Sequence, residues 1–187
     1  MEFKNFSYLL ILAGTIAIPL LFGVKKQIAF FRNLKYLIPA MLFSGAIFII
    51  WDLRFEEMAI WRFNSEFVMG INILNLPIEE WLYFLAIPFL SVFIYEYLKS
   101  RFSKFEKANV FLALSLVLFL LFAVLAYTTR QKLYPFFTFF LSAIYLGYTI
   151  FRNRFKKLFT KFYLGYFVMM VPFLIISGLL TSLPIIE

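Results

Sequence analysis

Two adjacent carboxylates, Glu79 and Glu80, stand just behind Pro77 at the mouth of a long apolar run, Asn75 to Leu98. A glutamate pair is costly to bring near hydrocarbon, so its placement there marks it as the chemical focus of the chain. If the pair faces into a water-poor helix bundle, one held proton makes a strong general acid and the neighbour its conjugate base. If it faces bulk water, both groups ionise and do no more than cap and anchor a helix. The chain contains no His and no Cys. That removes imidazole bases, thiolates, disulfides and the usual zinc or haem ligands, and leaves proton chemistry to carboxyl groups and tyrosines. The seven glycines form neither a GxGxxG nor a GxxxxGKS/T run; no nucleotide, flavin or metal cofactor is expected.

Pro77 is preorganised for the first turn of a helix, with Asn75 as a cap just ahead of it, so Glu79 and Glu80 fall in that first turn beside the free N–H groups. On this helix Glu79, Tyr83, Ile87 and Leu90 share one stripe, and Glu80, Phe84 and Ser91 another. Six of the ten acidic residues, Asp52 among them, and all three tryptophans, Trp51, Trp61 and Trp81, lie between positions 51 and 81. An interfacial aromatic belt over a solvated loop accounts for the tryptophans one by one; the clustering favours a site. The faces of Trp51, Trp61, Trp81, Tyr83 and Phe84 can stabilise a developing cation by ~0.5–2 kcal/mol each without acting as nucleophiles. An acid in such a pocket, with Asp52 as a supporting acid on the same face, suits the protonation of an alkene. Glu96, 17 residues beyond Glu79 and so ~25 Å along the helix, reads as an anchor at the other membrane face, beside Lys99 and Arg101.

The elements that must position these groups are transmembrane helices. The 187 residues are 64% hydrophobic and 15% charged, with mean hydropathy +0.90. At about 20 residues per span the expected fold is an all-α integral membrane protein of about six helices: Tyr8 to Val24, kinked at Pro19, Tyr36 to Trp51, the Asn75 to Leu98 stretch, Val110 to Thr128, Tyr134 to Phe151 and Phe162 to Leu183. A polar segment, Asp52 to Leu76, separates the second from the third. The gaps after helices one, three and five hold 13 of the 18 Lys and Arg residues, against 5 in the others. The positive-inside rule then places the N-terminus and the acidic motif on the non-cytoplasmic side of the cell membrane. Because the basic residues fall in short clusters between apolar runs, the net charge of +8 reflects topology rather than nucleic-acid binding.

A weak internal repeat is readable. PAMLFSG, from Pro39 to Gly45, and PFLIISG, from Pro172 to Gly178, share a P-x4-SG pattern at a spacing of 133. Helices one and two thus recur as five and six within a single transmembrane domain, 1–187. Residues 1–107 form the first repeat with the acidic motif, and 108–187 a connector helix and an incomplete second repeat. The counterpart of Pro77 to Glu80, the third helix of the second repeat, would fall beyond position 187.

Trp51-Asp52, Trp61-Arg62-Phe63, Gly70-Ile71-Asn72 and above all Pro77-Ile78-Glu79-Glu80 with Phe84 resemble the small integral-membrane lycopene cyclases, found as paired short subunits or as fused chains. The resemblance spans about Tyr8 to Pro184. It implies non-redox cyclisation of a linear carotenoid end group: an acid protonates the terminal alkene, the tertiary cation is captured by the next double bond, and loss of a neighbouring proton leaves a cyclohexene ring. The proton-handling groups carry over to Glu79 and Glu80, no cofactor is required, and the partners are a linear carotenoid and membrane lipid. Fused members carry a second proline-acid motif; here Glu187 stands in a different register. The chain therefore continues further, works with a homo- or hetero-oligomeric partner, or acts with one motif. Rival readings are a small proton- or cation-coupled transporter, with its acids at mid-membrane depth, and a non-catalytic subunit of a membrane pathway.

Overall fold

The computed structural model describes residues 3–23, 30–60, 62–152, 158–183 and 185. Trp61, the basic residues Lys25, Lys26, Arg154, Lys156 and Lys157, and Pro184 and Glu187 lie outside the described residues. The fold is all-α, with six helices among the described residues long and apolar enough to cross a membrane. They are α1 (Ser7–Phe22), α2 (Leu34–Glu57), α3 (Ile78–Arg101), α4 (Ala108–Thr128), α5 (Leu133–Phe151) and α6 (Phe159–Ser182). A two-stranded antiparallel hairpin, β1 (Asn72–Ile73) and β2 (Leu76–Pro77), precedes α3. Only 11–22% of each span is buried inside the protein, and residues such as Leu21 (72% exposed) and Phe43 (73%) point outward. Apolar surface on this scale is stable in lipid, where the backbone polar groups are satisfied within each helix.

The chain divides into two compact units: Met1–Arg101 with Gly165–Glu187, and Phe102–Leu164. In the first, α3 packs against both α1 and α2. The buried stripe of α1, Tyr8, Leu12, Thr15 and Pro19, recurs every three or four residues, the period of one helix face. Tyr8 and Leu12 form a core with Val68, Ala86, Ile176, Leu180 and Ile185. A second cluster joins Phe30, Leu90, Phe93 and Met169. Lipid tails are as apolar as Leu, so helices here associate through close packing at small residues rather than by leaving water. Gly45 of α2 is such a place: a Cβ built on it would meet the Phe84 Cβ of α3 at 3.7 Å.

The second unit pairs α4 with α5, and Gly147 sits so close to Phe119 that an added Cβ would lie 3.2 Å from its ring. The start of α6 is tied in by Ser115 and Tyr163 hydroxyls 2.7 Å apart, by Thr160 donating to Glu106 at 2.6 Å, and by the Lys161 ammonium on the Phe102 and Phe105 carbonyls.

One boundary differs from expectation in a way that matters. The second helix does not end at Trp51; α2 runs on to Glu57. The buried face Gly45, Ile49, Asp52, Phe55 keeps its spacing of four, three and three through the charged residues, while Arg54 and Glu57 pair at 3.0 Å on the exposed side. Asp52 is therefore a helical residue facing inward, not part of a loop.

Candidate active site

The head of α3 is built by the hairpin in front of it. Ile73 pairs with Leu76 and Asn72 with Pro77, leaving Leu74 and Asn75 as a two-residue turn with φ of +52° and +71°. Positive φ at both central residues is what a type I′ turn requires, and Asn tolerates it well. Asn75 thus serves the turn rather than the helix cap. Pro77 ends β2, immediately ahead of the first helical residue, and the Ile78 N–H donates back to the Ile71 carbonyl at 2.9 Å. This hairpin delivers Glu79 and Glu80 in the first turn of α3, as the proline spacing predicts.

Both glutamates turn into the protein. Glu79 has no exposed surface and Glu80 is 5% exposed. They take different partners. Glu79 Oε1 accepts the Met69 backbone N–H at 2.7 Å, and its Oε2 is buried with no hydrogen-bond partner among the described residues. Glu80 Oε2 accepts the Tyr8 hydroxyl at 2.5 Å. Asp52, also buried, lies within electrostatic range of both Glu80 and Tyr8. Three helices thus converge: α1 through Tyr8, α2 through Asp52 and α3 through Glu80.

The described part of the segment between α2 and α3 is tied to the N-terminal region and to Ile185. Asn64 N–H donates to the Ile185 carbonyl at 3.0 Å, the Asn5 amide to the Glu66 carbonyl at 3.0 Å, and Tyr8 N–H to the Phe67 carbonyl at 3.4 Å. Val68, next to the Met69 that holds Glu79, is buried in the core.

Below the acids an apolar cleft of about 290 Å³ opens between α2 and α3, lined by Leu42, Gly45, Ala46, Ile49, Trp81, Leu82, Phe84 and Leu85. By helix register Glu80 lies one turn above Phe84, and Asp52 one turn beyond Ile49, so the two acids continue the cleft walls toward the head of α3. Trp81 is held there by its indole N–H on the Ile73 carbonyl at 3.3 Å, and Phe84 stacks on Phe48 at 5.9 Å. Tyr83 lies 6.5 Å, ring to ring, from Tyr8. Trp51 stacks instead on Phe55 at 4.9 Å and is not among the cleft residues. Glu96, buried near the far end of α3, pairs with Lys99 at 3.3 Å.

Tyr8 is the candidate-site residue that sequence reasoning missed. Its contact spans 72 positions and leaves no local pattern. The available signal was topological: the first helix begins on the same membrane face as the acidic motif, and Tyr8 opens its buried stripe.

Among known proteins, a family model described as lycopene cyclase matches residues 5–98 and 131–187. The first matched segment contains Tyr8, Asp52, Glu79 and Glu80, together with the hairpin and the cleft. No curated protein and no solved structure matches the chain. With most of its length matched, this six-helix membrane protein belongs to the lycopene cyclase family, enzymes of carotenoid cyclisation.

Proposed function

We propose that the chain closes the end group of a linear carotenoid by acid-initiated, non-redox cyclisation, with the end group in the α2/α3 cleft and the proton handled by the buried glutamates at its head. The observation that carries this reading is the state of the two carboxyls. Glu79 has one oxygen committed to Met69 N–H and the other uncommitted among the described residues. A proton on that second oxygen meets no acceptor among the described residues and is available for transfer, which makes Glu79 the acid. Glu80, held by Tyr8 beside Asp52, is the base.

Protonation of the terminal trisubstituted alkene gives a tertiary cation. The next double bond attacks it, forming the ring C–C bond and a second tertiary cation within the ring. Loss of an adjacent proton to Glu80 supplies the electron pair of the ring double bond. One proton enters and one leaves, so the product is an isomer of the substrate and no oxidant or reductant is consumed. Trp81 and Phe84 line the cleft and offer π-faces to the cations, a contribution of ~0.5–2 kcal/mol each. The basic-residue asymmetry supports placing the head of α3 on the non-cytoplasmic side of the cell membrane.

Membranes containing the protein, given lycopene in D₂O, are expected to yield cyclised carotenoid carrying one solvent deuteron per ring, on the former terminal alkene carbon, read by chromatography and mass spectrometry. Unchanged lycopene with stably folded protein, or rings formed without that deuteron, overturns the reading.

A further inference from the structure

The second ring cation can lose a proton from any of several adjacent carbons, and each loss places the ring double bond differently. Nothing in the cation itself forces one outcome; the position of the accepting oxygen does. The accepting group in the reading above is Glu80, so what fixes the Glu80 carboxylate decides the ring isomer. Its side chain has three rotatable bonds and sits in the first turn of α3, where the backbone does not restrain its tip. Among the described residues its hydrogen bond comes from Tyr8, whose hydroxyl donates to Oε2 at 2.5 Å.

Tyr8 is well suited to hold a fixed point. It has no exposed surface, and its ring belongs to the apolar core with Leu12, Ala86 and Ile176 and lies against Tyr83. Its backbone N–H is tied to the Phe67 carbonyl at 3.4 Å. Occupying Oε2 leaves Oε1 as the oxygen that takes up a proton, because a carboxyl oxygen that accepts a strong hydrogen bond is the poorer proton acceptor. We propose that Tyr8 is a positioning residue for ring-type selection: by holding Glu80 Oε2 it presents Oε1 to one of the competing C–H bonds of the ring cation, and so determines where the double bond forms. Tyr8 does not itself donate or accept the transferred proton. This inference rests on the assignment of Glu80 as the base.

The test is the Tyr8→Phe variant, which keeps the ring and its packing and removes only the hydroxyl. Expressed in lycopene-accumulating bacteria, its cyclised products are separated by ring type and reported as a ratio. A ratio is indifferent to how much protein reaches the membrane, so a packing defect that lowers the yield does not move it. Minor ring isomers are expected to rise about tenfold relative to the main one, the change produced by ~1.36 kcal/mol of relative barrier. Glu80→Asp, which withdraws the carboxylate from Tyr8 by one methylene, is expected to shift the ratio as well, and Tyr8→Phe in that background to add little further. An unchanged ratio in Tyr8→Phe overturns the proposal, and so does a folded Tyr8→Phe protein that makes no cyclised product, since the hydroxyl directs the last step and is not needed for the first. Glu80→Gln separates the two levels. If it cyclises normally, the base assignment itself fails; if it is inactive while Tyr8→Phe keeps the wild-type ratio, only the role of Tyr8 falls.

Discussion

The two ends of α3 each bury carboxyl groups, and they compensate them in opposite ways. Near the C-terminal end, Glu96 is 9% exposed and pairs with a lysine one turn on. At the head, Glu79 and Glu80 make no ion pair among the described residues; their recorded partners are neutral donors, a backbone N–H and a phenol. A buried carboxyl beside a cation has its charge offset directly, whereas one held only by neutral donors in an apolar surround does not. Burial alone therefore does not distinguish the two ends of this helix. The kind of partner does.

The largest expected effect is the one that removes the proton from the head while keeping the shape. Glu79→Gln and Glu80→Gln each preserve a carbonyl oxygen for Met69 N–H or the Tyr8 hydroxyl. Each is expected to lower cyclisation by about 10²–10⁴-fold, the usual contribution of a positioned acid or base. Pigment analysis in lycopene-accumulating cells, normalised to membrane-inserted protein, reads the effect. Wild-type yields from both variants would break the contrast between the two ends of the helix.

A smaller effect tests the cleft below. Phe84→Leu keeps an apolar side chain against Gly45 and Phe48 but removes the π-face. A loss of ~0.5–2 kcal/mol of cation stabilisation corresponds to about 2- to 30-fold in rate. The drop is expected in the maximal rate, with stability little changed, and Phe84→Tyr is expected to restore most of it. A Phe84→Leu enzyme at full rate would remove the aromatic wall from the mechanism.

The six spans were legible because lipid imposes a simple demand: about 20 apolar residues per crossing, a signal carried by composition alone. The glutamates at the head of α3 were legible for a related reason, since acids at the edge of such a run stand out against it. Other features were not. The end of α2 was hidden because Asp52, Glu56 and Glu57 look like loop residues by charge, although Ile49, Asp52 and Phe55 keep a helical period across them. The hairpin was hidden because one of its two left-handed positions is Leu74, a residue with no preference for that conformation. Separate partners for Glu79 and Glu80 could not be read either, because both are contributed by segments distant in sequence or by backbone, and backbone groups carry no residue-type signal.

The smallest effect is expected at the C-terminal end, and it is the sharpest test of the comparison. The Lys99 side chain is half exposed while that of Glu96 is 11% exposed; Lys99 also lies 5.8 Å from the Tyr95 ring centre. Solvent near the ammonium screens the pair, so its worth is about 1 kcal/mol or less, with the Lys stem still covering apolar surface. Lys99→Met keeps the stem and removes the charge. In detergent, a loss of that size lowers the unfolding midpoint by about 2–4 °C for a chain of this length. Pairing Lys99→Met with Glu96→Gln should recover most of the loss, because the uncompensated carboxylate is then gone as well. Neither variant is expected to change the cyclisation rate per folded molecule or the ratio of ring types. If Lys99→Met cut cyclisation as deeply as Glu79→Gln, the cation would be serving the chemistry at the head of the helix, and the distinction between anchored and reactive carboxyls on α3 would be lost.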